Sequence, residues 1–206
     1  MKILPTVFLA LLILPCSAAD KAKKQEQALS QQAVAAHGID EAIANTQAVP
    51  LAPGKKVKGS ITVNSPVLEL DGQRVAYDLY SMSGRTGQNF KLTVWSYCKC
   101  FGFDKTIIVP KIVVVSHGKS LPLEISSVGK AAAGLTPLHY ETTLTGTFDG
   151  DGVAHVLLYG DSGEVGSTVT ETGKSASYAA GMVINIGSFD ITKSPVGNIA
   201  IELETE

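Results

Sequence analysis

The chain has 206 residues, with 17 Lys and Arg against 19 Asp and Glu, a formal net charge of −2. That length suits one domain plus an arm, and the absence of a basic field argues against a nucleic-acid partner. Charged residues make up only 17% and glycine appears 20 times, which excludes a disordered chain and suits a compact, turn-rich β domain.

The first predicted element is an export signal over residues 1–19. Lys2 supplies a short basic start, and Ile3 to Pro15 carries no charge. Ser17-Ala18-Ala19 then places small residues where a signal peptidase reads, so cleavage is expected after Ala19. The apolar run is about 13 residues, whereas a membrane span needs about 20, so an export signal fits better than a retained anchor. Cys16 offers a lipidation alternative, but Pro15 stands where a lipoprotein signal has Gly, Ala or Ser. The expected location is periplasmic or extracellular, with contact to a membrane only through the export signal or a lipid on Cys16.

Residues 20–47 are rich in Ala, Gln, Lys and Glu, all good helix formers. Ala22, Leu29, Ala33 and Ala36 fall on one helical face. That face buries little apolar area, so the sequence predicts a weakly held helical arm, with docking to a partner as the alternative. Gly38 reads as its stop and Asp40 as the N-cap of a short second helix. Residues 48–54, with Pro50 and Pro53, read as a linker.

From Lys55 the period changes to two. Val57 to Ile61 begins a strand. Val75, Tyr77, Leu79 and Ser81 share one face of the next, with Arg74, Asp78 and Tyr80 on the other. Phe90, Leu92 and Val94 alternate with Lys91, Thr93 and Trp95. Leu121 to Ile125, Tyr140 to Leu144, Met182 to Ile186 and Ile199 to Leu203 repeat the pattern. Ile107–Val115 and Val153–Tyr159 are apolar on both faces and read as central strands, with Pro110 marking a bulge or an edge in the first. Asp71-Gly72, Ser83-Gly84, His117-Gly118 and Asp149-Gly150-Asp151-Gly152 are turn signals. Residues 128–137 and 162–176 read as loops. The predicted fold is all-β: an antiparallel sandwich or jelly roll over residues 55–206, preceded by the helical arm.

Cys98 and Cys100 form the one pair left after processing. In a flat strand residues i and i+2 sit nearly 7 Å apart, at the limit for a disulfide, so a bridge needs a bend. A bridged turn or two buried thiols are the structural readings. A redox or metal pair is the other, although two thiolates make half a zinc site and no His stands near.

Gly160-Asp161-Ser162-Gly163 resembles the nucleophile motif of chymotrypsin-like serine proteases, and Ala35-Ala36-His37 echoes the sequence around their histidine. The mechanism needs a His and an Asp beside the serine. Here His37 lies in the arm with no barrel strands before it, and Glu164 replaces a glycine of that motif, so a turn fits better. Asp149, Asp151, Asp161 and Glu164 are candidate calcium ligands, since hard cations favour clustered carboxylates, but the twelve-residue loop pattern is absent and Asp-Gly is also a turn dipeptide. Among the histidines, His155 lies in an apolar strand and reads as a core residue. Tyr80, Trp95, Tyr97 and Phe101 are candidates for an aromatic binding patch, with Trp95 and Tyr97 on the face opposite Phe90, Leu92 and Val94.

Residues 51–127 resemble the bacterial pre-peptidase C-terminal domain, a secreted β-sandwich. The matching positions are Gly54 and Gly59 around the opening strand, Tyr77 in the next, Gly87 in the turn that follows, and Phe103-Asp104. Residues 138–159 correspond to a later strand with its Asp-Gly turn. The 160–206 region and the stretch between Ile125 and His139 have no counterpart. The resemblance implies a non-catalytic accessory or binding module of an exported protein, sometimes with calcium. The expected partner is a protein, a glycan or an envelope surface component. The alternatives are a calcium-stabilised structural envelope module and a hydrolase.

Overall fold

The computed structural model describes residues 17–99, 105–128, 139–172 and 188–206. The arm forms α1 (Ala18–Gln31) and α2 (Ile39–Asn45). A capping box opens α1: Ser17 Oγ accepts from the Asp20 N–H at 3.2 Å, and the Asp20 carboxylate accepts from the Ser17 N–H at 3.3 Å. At the other end Arg74 Nη1 donates to the carbonyls of Ser30 and Gln32 at 2.7 and 3.0 Å, so a guanidinium meets the negative pole of the helix. Half of the expected face is buried on α1, with Ala22 and Leu29 inside, but the helix ends at Gln31, so Ala33 is exposed beyond it and Ala36 is buried through a bridge to Leu68 instead. Gly38, not Asp40, is the N-cap of α2, and Asp40 and Glu41 sit in its first turn, where carboxylates suit the helix dipole.

The strands are β1 (Val49–Pro50), β2 (Val57–Ile61), β3 (Val67–Leu70), β4 (Gln73–Gly84), β5 (Asn89–Tyr97), β6 (Thr106–Ile108), β7 (Pro110–Ser116), β8 (Lys119–Ser120), β9 (Glu124–Val128), β10 (His139–Thr147), β11 (Gly152–Gly160), β12 (Thr168–Thr172), β13 (Ser188–Ser194) and β14 (Gly197–Thr205). A first sheet runs β1-β4-β11-β7-β8, with β3 also paired to β4. A second runs β2-β14-β5-β10-β9, and a third runs β12-β13-β6. Pairing is antiparallel except at β1/β4 and β13/β6.

The first two sheets share a core. Tyr80, Met82, Val156 and Leu158 enter it from one side, and Leu92, Val94, Ile199 and Ile201 from the other. These are the residues that a period of two puts on one face of each strand. A second core lies on the outer face of the first sheet, where Val75, Tyr77, Leu79 and Leu157 pack under Ala36, Ala42 and Leu68. The arm therefore closes over the sheet, and Thr46 Oγ1 sits 2.6 Å from the Tyr77 hydroxyl. Its small side chains let backbone come close, which offsets the modest area each buries.

Several local expectations change. The stretch 48–54 is not a free linker: β1 pairs with Tyr80 and Ser81, and Leu51 is buried. Ile107–Val115 is not one strand. It breaks at Val109, with β6 in the third sheet and β7 in the first, because proline has no N–H with which to continue a ladder and marks the change of sheet. Ser83-Gly84 ends β4, and the turn falls at Arg85–Gln88, with Gly87 at φ +79°. Asp71-Gly72 (φ +51° and +76°) and His117-Gly118 (+49° and +72°) are two-residue hairpin turns as expected, both positions left-handed. The expected loop 162–176 contains a short 3-10 turn (Ser162–Glu164) and β12. His155 is half-buried on β11, not a core residue. Residues 1–16, the stretch 129–138 and the expected strand Met182–Ile186 lie outside the described residues.

Candidate functional site

The outer face of the second sheet is built from alternate residues of β14, β5 and β10. On β5, Phe90, Leu92 and Val94 point into the core, so Lys91, Thr93, Trp95 and Tyr97 point out. Register then sets the neighbours. Trp95 lies between Ala200 on β14 and Glu141 on β10, and Tyr97 lies between Asn198 and His139. Trp95 Nε1 donates to Glu141 Oε2 at 3.1 Å, which fixes the plane of the indole. Lys56 Nζ sits 3.3 Å from the ring centroid, a cation–π contact. The rings of Tyr97 and His139 are 5.9 Å apart at a tilt of 53°. Trp95 and Tyr97 are both half-buried, so each shows part of its ring.

The same face ends in a groove of about 730 Å³ lined by Phe90, Leu123, Glu124, Thr145, Glu204 and Glu206, among others. At its edge Lys91 Nζ lies 2.8 Å from Glu204 Oε1.

Tyr80 does not belong to this surface. It sits on β4 in the other sheet, is only 2% exposed and faces the shared core. Its hydroxyl donates to Asp78 Oδ2 at 3.3 Å, and burial with that carboxylate beside it pushes the phenol well above its ordinary range. A β-carbon on Gly59 would collide with the same hydroxyl, so β2 needs glycine at this crossing. Strand parity correctly separated Tyr80 from Tyr77 but could not say which sheet would own it. Phe101, Cys100 and Cys16 lie outside the described residues. Cys98, at the end of β5, is disulfide-bonded.

The four candidate calcium ligands do not converge. Asp149 and Asp151 precede β11, while Asp161 and Glu164 follow it, and a nine-residue strand is roughly 30 Å long. Each has a local partner. Asp149 is held below its ordinary value first by the Ser116 hydroxyl, with His117 Nδ1 at 3.7 Å. Asp151 accepts from the Thr86 N–H at 2.7 Å and the Thr86 hydroxyl at 3.1 Å, which lowers its pKa and ties the β10–β11 loop to the β4–β5 turn. Asp161 accepts from the Gly163 N–H at 3.0 Å and pairs with Lys111 at 3.2 Å. Glu164 pairs with Lys193. Among the described residues no three His, Cys, Asp or Glu side chains gather in a way that would hold a metal ion.

Among the described residues the serine motif has no histidine bonded to it, and Ser162 Oγ donates to Gln73 Oε1. His37 Nδ1 faces Glu69 at 3.9 Å instead. Sequence reading missed Lys56, Glu141 and the glutamates of the groove. Glu202 and Glu204 already alternated with core residues on the last strand, so their outward direction was legible. Their meeting with β5 was not.

No protein-family model and no curated protein matches the chain. Among solved structures, the chain is similar to the pre-peptidase C-terminal domain of collagenase from Bacillus anthracis. The identity is 12% over 77% of this chain and 95% of that chain, with a TM-score of 0.32. A likeness at that level says nothing of ligand or activity. Among the described residues no helix is long and apolar enough to cross a membrane.

Proposed function

We propose that this chain is an exported, non-catalytic binding module that recognises a surface component outside the cytoplasm through the outer face of its second sheet. One contrast carries the reading. The arm covers the outer face of the first sheet, whereas the outer face of the second presents Trp95, pinned by Glu141 and flanked by Tyr97. A half-exposed indole with fixed orientation suits recognition, because little side-chain freedom is lost on contact. The apolar run from Ile3 to Pro15 supports export.

Cosedimentation with isolated cell envelopes tests this. The chain from Asp20 onward is expected to pellet with envelopes, and Trp95→Ala to remain in the supernatant with an unchanged melting curve. Because Trp95 is the single tryptophan, its emission also reports engagement of the face directly. Equal pelleting of the parent and the variant would overturn the assignment.

A further inference from the structure

The groove at the end of the second sheet differs in chemistry from the Trp95 region. Pro122 and Leu123 give it an apolar wall, and Glu124, Glu204 and Glu206 line it against a single ammonium, that of Lys91. Lys91 is already committed to Glu204 at 2.8 Å. Among the described residues Glu124 and Glu206 have no ion-pair partner. The hydrogen bond that Lys91 donates to Glu204 raises the Lys91 pKa above its ordinary value, and the charges of Glu204, Glu202 and Glu206 add to the shift, so Lys91 stays charged while three carboxylates line the groove against it. Beside the groove, Ile125 on the edge strand β9 is 60% exposed.

The face also holds lysines of its own chain in two ways: Lys91 by carboxylate and Lys56 by the indole of Trp95. We propose that the groove receives an extended, lysine- or arginine-bearing segment of a partner polypeptide. Its basic side chains would meet Glu124 and Glu206, and its apolar side chains Pro122 and Leu123. This rests on the function proposed above only in using the same sheet face.

Shape and charge choose this occupant. The row Glu204, Lys91, Thr145, Glu124 crosses β14, β5, β10 and β9 side by side. At about 4.8 Å per strand the row spans roughly 15 Å, the reach of about four extended residues. A strip with carboxylates on its floor and an apolar wall matches a chain that offers both kinds of side chain within a few residues. A cationic amino-sugar polymer supplies the charge without the apolar side chains. Complementary charge also steers encounter and makes binding depend on salt.

The test uses the chain from Asp20 onward and a fluorescein-labelled peptide, Lys-Leu-Lys-Ser-Lys-Leu-Lys, followed by anisotropy. Its counterpart with Glu for every Lys and a chitosan hexamer serve as second and third probes. The basic peptide is expected to bind saturably and to weaken as salt rises. The double variant Glu124→Gln/Glu206→Gln is expected to weaken it by about tenfold, while Asp40→Asn, an exposed carboxylate on the arm, leaves it unchanged. Equal binding of the acidic peptide, tighter binding of the chitosan hexamer, or an unchanged affinity in the double variant would each overturn the proposal. The two readings fail separately. Loss of envelope cosedimentation with retained peptide binding removes the proposed function and keeps the groove, and the converse removes the groove alone.

Discussion

The two outer sheet faces of this molecule meet different fates. On β4, Val75, Tyr77 and Leu79 are apolar on the outer side, and the chain covers them with residues 36–48. On β5, the outer residues Lys91, Thr93, Trp95 and Tyr97 are polar or amphipathic, and no helix of the arm lies over them. An apolar face left in water is costly, so the fold supplies its own cover there. A face of hydroxyls, charges and half-buried rings carries less of that cost, and at its centre Thr93 and Thr143 are themselves buried. The arm is therefore part of the core of the first sheet, while no helix of the arm packs on the outer face of the second.

That contrast can be broken most severely at Tyr77. It is buried under the arm, and Tyr77→Ala is expected to cost about 3–5 kcal/mol in urea unfolding, from the cavity and the lost contact with Thr46. A cost near zero would mean that the arm does not hold this face. Overfilling the same interface is milder. Ala42 is fully buried, and Ala42→Leu is expected to cost about 1–3 kcal/mol by the same assay.

A third measurement concerns Asp78, on the inner side of β4 beside Tyr80 and facing Gly59 of β2. Burial raises the Asp78 carboxyl above its ordinary value, with the Tyr80 hydrogen bond opposing. A raised folded-state pKa means that the folded protein holds this proton more tightly than the unfolded chain does. The associated stability is present at low pH and is lost as pH rises through the raised value. Asp78→Asn removes the titration and keeps an oxygen to accept from Tyr80. Its melting temperature relative to the parent is expected to improve as pH rises above the ordinary carboxylate range and to level off once the raised value is passed. A gap that stays constant with pH would show that Asp78 does not titrate in this way.

The smallest effect is expected on the open face. Lys56→Ala removes an exposed cation over Trp95, and its stability cost is expected to stay within about 1 kcal/mol. A shift in the emission of the single tryptophan would accompany it. A much larger loss would mean that Lys56 holds the sheet together and does not simply occupy the ring.

Much of this architecture was legible along the chain. The alternation in β5 and β14 named the core side of those strands, and the double-sided apolar run in Val153–Tyr159 named the central strand β11, whereas in β4 the face that looked apolar, with Val75, Tyr77 and Leu79, lies outside under the arm and Tyr80 and Met82 enter the shared core. Asp71-Gly72 and His117-Gly118 named their turns. Less legible was anything that needed two distant segments. Pro110 announced a break, yet not that Ile107 and Val113 would enter different sheets. Asp149 and Asp161 are candidate ligands of one ion by sequence, yet β11 holds them at opposite ends. Tyr80 and Trp95 looked like one aromatic group, yet they lie on opposite sheets.

The sequence by itself determined the period of each strand, the helical character of the arm and the direction each side chain takes from its own backbone, because those follow from local geometry. Only the tertiary structure decided which strands became neighbours, in what register, and which face the arm would close. Those outcomes depend on burial summed over residues far apart in the chain. The pairing of Trp95 with Glu141, the lysine over its ring and the acidic groove beyond it are all consequences of that long-range register.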